Sequence, residues 1–214
     1  MRTAWALLLL ASVAACGPHQ GGAAPGVALT APPRVLVLPF GLGGSLAPTG
    51  AFVRWRDAAS MPDDLGATAA DTLAAELAKT GIAVADLRVG PEATQDAASA
   101  ARAAARAGAN LAVLGAVLRY VEREGTAVGA RSPASVAYQV ELVRVPDGAV
   151  VATDQFDYTQ QPLTANLLDL PRFVQGGGRW MTRREILDGA LGETAHRLAA
   201  AIRGDRAKPA GAAR

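Results

Sequence analysis

The sequence predicts an α/β fold, a single β-α-β-α-β-β-β-α domain with helices packed on a mixed sheet. Three observations predict it. Residues 35–38 (Val-Leu-Val-Leu) form an apolar run between Pro33 and Pro39, and residues 111–120 are apolar for most of their length, as strands buried on both faces are. Val136, Tyr138, Val140 and Leu142 alternate with Ala137, Gln139, Glu141 and Val143 ahead of a Pro146-Asp147-Gly148 turn, the pattern of a hairpin. Between and after these stretches, apolar residues recur at helical spacing.

The elements follow in order. After the first strand, Gly41, Gly43, Gly44, Pro48 and Gly50 mark a flexible loop that runs through Met61. Asp63, just after Pro62, is a candidate N-cap for a helix with Leu65, Ala69, Leu73 and Leu77 on one face, and Gly81 stops it. Residues 82–87 make a second strand. Pro91-Glu92 opens an alanine-rich helix that extends to Gly108, and residues 111–120 are the central strand. Right-handed crossovers make these first three strands parallel, whereas residues 136–143 and 150–158 pair as an antiparallel hairpin. Residues 159–181 are irregular. Thr182-Arg183-Arg184-Glu185 then has the form of a capping box. It opens a helix that buries Ile186, Leu187, Ala190, Leu191, Ala195, Leu198 and Ile202 and ends at Gly204. The domain is expected to span 33–203, with a disordered tail over 204–214.

The first sixteen residues have another character. Arg2 supplies a basic start, residues 4–11 an apolar run, and Ser12-Val13-Ala14-Ala15 the small residues that precede an export cut. The run is too short to span a bilayer, which takes about 20 residues. Val13-Ala14-Ala15-Cys16 resembles the lipobox of bacterial lipoproteins, and Cys16 is the sole cysteine. The resemblance implies a signal peptide over 1–15 and an acylated Cys16 that anchors the chain to a membrane. Gly17, where inner-membrane lipoproteins often carry Asp, implies the periplasmic face of the outer membrane. Residues 16–32, rich in Gly, Ala and Pro, are expected to form a flexible linker with His19 facing solvent.

Composition narrows the function classes. At 214 residues there is room for one domain, and aromatic residues are only 5% of it. A core of Ala, Val and Leu leaves no large aromatic pocket. A formal charge of +2 gives no basis for nucleic-acid binding, and one cysteine excludes an internal disulfide. Gly41-Leu42-Gly43-Gly44-Ser45-Leu46 fails the dinucleotide pattern, because the third glycine would fall at Leu46. His196 has no second ligand at metal spacing, helix capping accounts for Asp63-Asp64, and Ser45, Ser60 and Ser132 lack a nucleophile elbow. No cofactor, no metal and no enzyme activity is expected.

One segment places apolar residues outside regular structure. Between 159 and 181 the chain carries Leu163, Leu167, Leu168, Leu170, Phe173, Val174, Trp180 and Met181, with Arg172, Arg179, Arg183 and Arg184 around them. Two readings stay open: the segment completes the core, or Phe173, Arg179, Trp180 and Arg183 contact a partner or lipid headgroups, since Trp and Arg dominate binding hot spots.

Residues 35–39, the stretch 107–117 (Ala-Gly-Ala-Asn-Leu-Ala-Val-Leu-Gly-Ala-Val) and the hairpin 140–150 together resemble a family of envelope lipoproteins and periplasmic domains. It includes the curli-secretion channel lipoprotein CsgG, the N-terminal domain of TolB and the penicillin-binding-protein activator LpoB. The resemblance implies this fold and an accessory role: an envelope protein as partner, and help in the assembly or regulation of an envelope complex. The alternative it implies is an oligomeric outer-membrane channel with two inserted hairpins per subunit. The two excursions at the matching places, 122–135 and 159–181, read poorly as membrane strands, the first being short and charged and the second broken by Pro and Gly.

Overall fold

The computed structural model describes residues 19–20, 29, 31–46, 52–54, 61–86, 96–126, 130–160 and 179–204. Its sheet assembles around one long strand, β7 (Leu111–Val121), whose residues 111–117 are all buried. On one side β7 pairs in parallel with β2 (Arg34–Val37) and, beyond Pro39, with β3 (Gly41–Leu42). β2 in turn pairs in parallel with β6 (Ala83–Val84). On its other side β7 pairs antiparallel with β10 (Ser135–Arg144), and β10 pairs antiparallel with β11 (Val150–Thr159). The strand order is therefore β1-β11-β10-β7-β2-β6, where β1 (His19–Gln20) lies outside β11. The parallel crossovers and the closing hairpin are those the sequence predicts.

Two apolar layers clothe this sheet. α1 (Leu65–Lys79) and α3 (Arg183–Arg203) pack side by side on one face, over Val35, Val37, Val113, Tyr138, Val140 and Leu142. α2 (Ala97–Arg106) covers the other face, where its buried side chains are all alanine and meet Leu36, Leu38, Leu114 and Val143. Alanine allows the helix backbone to come close to the sheet, so short side chains still close-pack. All seven residues expected on the buried side of the last helix are buried.

A polar knot fixes α3 to the sheet inside the first layer. Asp154 of β11 is 2% exposed, and its carboxylate accepts from Thr194 Oγ1 at 2.5 Å and from Arg197 Nε and Nη2 at 3.1 and 2.9 Å. Thr194 Oγ1 also lies 2.8 Å from the hydroxyl of buried Tyr138 on β10. Burial pushes the Tyr138 hydroxyl well above its ordinary pKa, so it stays protonated.

Local departures from the sequence reading have physical causes. Helix α1 starts at Leu65 with Asp64, not Asp63, at the N-cap, and the Asp64 side chain makes no cap bond; a turn from Leu65 N to Pro62 O, 3.1 Å, opens the helix instead. Helix α2 starts at Ala97, where extended Asp96 caps it by accepting from Ser99 N at 2.7 Å, and Pro91-Glu92, the expected start, lies outside the described residues. β6 is two residues rather than six. In the glycine-rich stretch after β2, expected to be a loop, the described residues form strands: β3 extends the line of β2, and β4 (Gly44–Leu46) pairs with β5 (Phe52–Arg54). His19 is not part of a free linker, since it pairs opposite Phe156. The capping box of α3 is present in both arms, and Gly204 closes the helix in the left-handed region at φ 74°. The rest of the short strands, β8 (Glu124–Gly125) and β9 (Ala130–Ser132), form a small hairpin beyond β7.

Phe40 is wedged between α1 and β7, and two glycines make room for it. A Cβ at Gly66 would stand 2.2 Å from the Phe40 carbonyl oxygen, and one at Gly115 2.4 Å from its ring.

Three substitutions test this packing. Asp154→Ala removes the buried acceptor that Thr194 and Arg197 share, and should cost about 3–5 kcal/mol in urea unfolding. Gly66→Ala should cost roughly 1–3 kcal/mol through overpacking. Gly189→Ala, inside α3 with nothing within 4 Å of the added carbon, should stabilise by up to about 1 kcal/mol. Equal effects at the two glycines would contradict the packing described.

Candidate partner-contact site

Three strands finish together at one end of the sheet: Ser135 is opposite both Val121 of β7 and Thr159 of β11. Arg119 reaches across this end to Ser135 and to Asp157. Immediately after β11 comes Gln160, a buried side chain that pins the returning chain. Its Oε1 accepts from Met181 N at 2.8 Å and its Nε2 donates to Arg179 O at 3.3 Å, while its own backbone N donates to Ala134 O at 3.2 Å. Residues 179–182 are thereby folded against the sheet end, next to the first turn of α3.

The turn brings together three of the four residues singled out in the sequence. Arg179 grips Glu185 with both guanidinium nitrogens, at 3.1 Å for Nη1 and closer for Nη2. Glu185 also accepts from Thr182 N at 2.8 Å. The Arg179 bonds first, and then the Thr182 N–H, hold the Glu185 carboxyl down to about 2. Arg183 lies over the Tyr120 ring, 4.4 Å from its centroid, donates to Tyr120 O at 3.2 Å and stands 3.6 Å from Glu122. Trp180 is half-buried, and its carbonyl accepts from Arg123. Both arginines thus have intramolecular partners, and what this end offers outward is a half-buried tryptophan among neutralised charges. Phe173 and Cys16 lie outside the described residues.

Beside the turn a groove of about 290 Å³ opens between β11 and α3. Phe156, Tyr158, Met181, Ile186 and Ala190 give it an apolar lining, and Gly189 leaves space where a side chain would stand; Glu185 and Glu193 border it. Neither Gln160 nor this groove was legible beforehand, although a glycine in the middle of a helix was a signal that something approaches there or that space is kept. Among the described residues, no group of three or more His, Cys, Asp or Glu is placed to hold a metal, and His196 is exposed. No helix among them is long and apolar enough to cross a membrane.

One ionisable group on the other sheet face is unusual. Glu141 is 8% exposed, and its Oε2 has no hydrogen-bond partner. Desolvation pushes its pKa up.

No protein-family model matches the chain, and no curated protein matches it. Solved structures do. The chain is similar to the PelC dodecamer from Paraburkholderia phytofirmans, with 20% identity over 70% of this chain and 89% of that one and a TM-score of 0.42. It is similar to the lipoprotein GNA1162 from Neisseria meningitidis, with 20% identity over 68% and 93% and a TM-score of 0.36. It is also similar to the C-terminal domain of LpoB from Salmonella enterica, with 14% identity over 63% and 88% and a TM-score of 0.29. All three likenesses are distant.

The two carboxylates have opposite pH signatures. The lowered pKa of Glu185 means that its contribution is present above the ordinary carboxyl value, ~4.3, and is lost as pH falls towards 2. The raised pKa of Glu141 means that its penalty is absent below the ordinary value and grows as pH rises through the raised one. At pH 8 Glu185→Gln should therefore destabilise by roughly 1 kcal/mol, the scale of a solvent-screened helix cap, and Glu141→Gln should stabilise by about as much. At pH 4 the Glu141→Gln gain should vanish. Melting curves at the two pH values check both signs.

Proposed function

We propose that this chain is a non-enzymatic accessory lipoprotein of the bacterial envelope. Cys16 carries the lipid that anchors it at the periplasmic face of the outer membrane, and the α/β domain binds an envelope protein partner to assist assembly or regulation of an envelope complex. The observation that carries this reading is the position of the sole cysteine, directly after Val13-Ala14-Ala15 and behind a basic start and a short apolar run. Acyl chains contribute roughly 0.8 kcal/mol per buried CH₂, so a multiply acylated cysteine is a lasting anchor. The turn at 179–183, together with Phe173, is the proposed contact. Its support is the pairing of its arginines within the molecule, which presents Trp180 without the cost of desolvating free cations.

The channel alternative is the weaker reading. A membrane-spanning β-strand takes about 9–11 residues, whereas β8 and β9 contain two and three. Of the second excursion, 159–181, residues 161–178 lie outside the described residues.

The test uses the full-length chain expressed in a bacterium with its signal intact. Wild-type protein should float with membranes and start at an acylated Cys16, and Cys16→Ser should move it out of the membrane fraction. Crosslinking with mass spectrometry should join residues of the 179–183 turn to an envelope protein. A native protein that begins at Met1, or washes off vesicles without detergent, defeats the proposal. Trp180→Ala and Phe173→Ala should keep the melting temperature and lose the crosslinks; lowered melting temperatures would assign those side chains to the core.

A further inference from the structure

The short strand β1 constrains the anchor. β1 adds antiparallel to the outer edge of β11, with His19 opposite Phe156 and Gln20 opposite Gln155. Because the pairing is antiparallel, the N-terminal side of β1 heads towards the Thr159 end of β11. Three residue steps separate Cys16 from His19, and three steps span at most about 10 Å. The same number of steps along β11 leads from Phe156 to Thr159. Cys16 therefore cannot leave the neighbourhood of this half of the sheet, whereas an unpaired linker of residues 16–32 would let the domain roam by up to about 55 Å.

The two ends of the sheet differ, and two valines mark them. Val121 is 49% exposed and Val150 36%, and no other described large hydrophobic is as exposed. Val121 shares its register position with Ser135 and Thr159, at the end where the Trp180 turn folds back. Val150 is opposite Val143, at the far end of β10, eight residues or roughly 27 Å from Ser135. Charges at the Val121 end nearly balance: Arg119 pairs with Asp157, Arg179 with Glu185 and Arg183 with Glu122, while Arg123 and Arg131 against Glu124 leave one net positive charge.

We propose that β1 is a clasp that orients the domain on the bilayer: the lipid-bearing terminus emerges at the Val121–Thr159 end, and that end rests on the phospholipid surface. This rests on the lipidation proposed above. A half-buried tryptophan, a cation stacked on an aromatic ring and an exposed valine are residues that the membrane–water interface accommodates. Since the charges there nearly balance, the short tether sets the orientation, not attraction to anionic lipid, and salt has little effect on it. A protein partner of the same turn is then one that offers its contact at the level of the bilayer surface.

The experiment places a nitroxide at Val121→Cys or at Val150→Cys in the full-length, lipidated protein, reconstituted in vesicles of phosphatidylethanolamine and phosphatidylglycerol. Acylated Cys16 does not react with the label. The label at 121 should be several-fold less accessible to a water-soluble nickel chelate than the label at 150, at low and high salt alike. Gln20→Pro, which breaks the β1 pairing and keeps the anchor, should bring the ratio close to one while the protein still floats with the vesicles. Flotation with equal or reversed accessibilities when β1 is intact overturns the orientation and leaves the anchor standing. A ratio that persists in Gln20→Pro overturns the clasp. A protein that does not float overturns both.

Discussion

The contact on which the rest of this structure depends is the buried knot of Asp154, Thr194, Arg197 and Tyr138. A carboxylate in an apolar layer is tolerable only when its acceptors are used, and here hydroxyl and guanidinium donors from one helix turn use them. The knot joins β10, β11 and α3 at one point, so it sets where α3 lies along the sheet. That position decides where the capping box at the start of the helix meets the sheet end, and hence where the 179–183 turn and the groove beside it are held. It also fixes register. If β11 slipped by one residue, Asp154 would turn to the outer face and Arg197 would be left facing Thr153 or Gln155.

Hydrophobic burial and hydrogen bonding share the work unequally between the two faces. Leucine, valine and two stacked aromatics, Tyr138 and Phe156 with centroids 5.3 Å apart, fill the layer under α1 and α3. Under α2 the layer is thin, and the area buried per residue is small. The fold compensates by closeness: α2 is alanine on its inner face, so its backbone can approach the sheet.

Much of the fold was legible because its signals are local. A strand buried on both faces writes a continuous apolar run, as in β2 and β7, and a half-amphipathic strand writes alternation, as in β10. A capping box is contained within four residues, so α3 was found to the residue. What was not legible depends on partners distant in sequence. β3 and β4 are rich in glycine, and β7 and β5 make them strands, not their own propensity. β1 is two residues of an otherwise low-complexity stretch and exists only because β11 has an open edge. Asp154 and Asp157 look alike in the sequence, yet strand parity sends the first into the core and the second to the surface. At the site, Arg179, Trp180 and Arg183 were recognised as a group, whereas Gln160, which holds them in place, gave no sign: a lone glutamine after a strand is an ordinary surface residue until its burial is seen.

The alanine face of α2 has a consequence for how this domain tolerates mutation. Trimming an alanine of this helix to glycine costs about 1 kcal/mol and there is no room for enlargement, whereas trimming a leucine of the opposite layer to alanine costs about 2–5 kcal/mol. The two sides of one sheet thus impose opposite selection rules. Apart from the glycines beside Phe40, drift towards bulk is blocked under α2 and drift towards smallness under α1 and α3, so sequences that keep this architecture can diverge widely and still preserve a difference in side-chain size between the two layers.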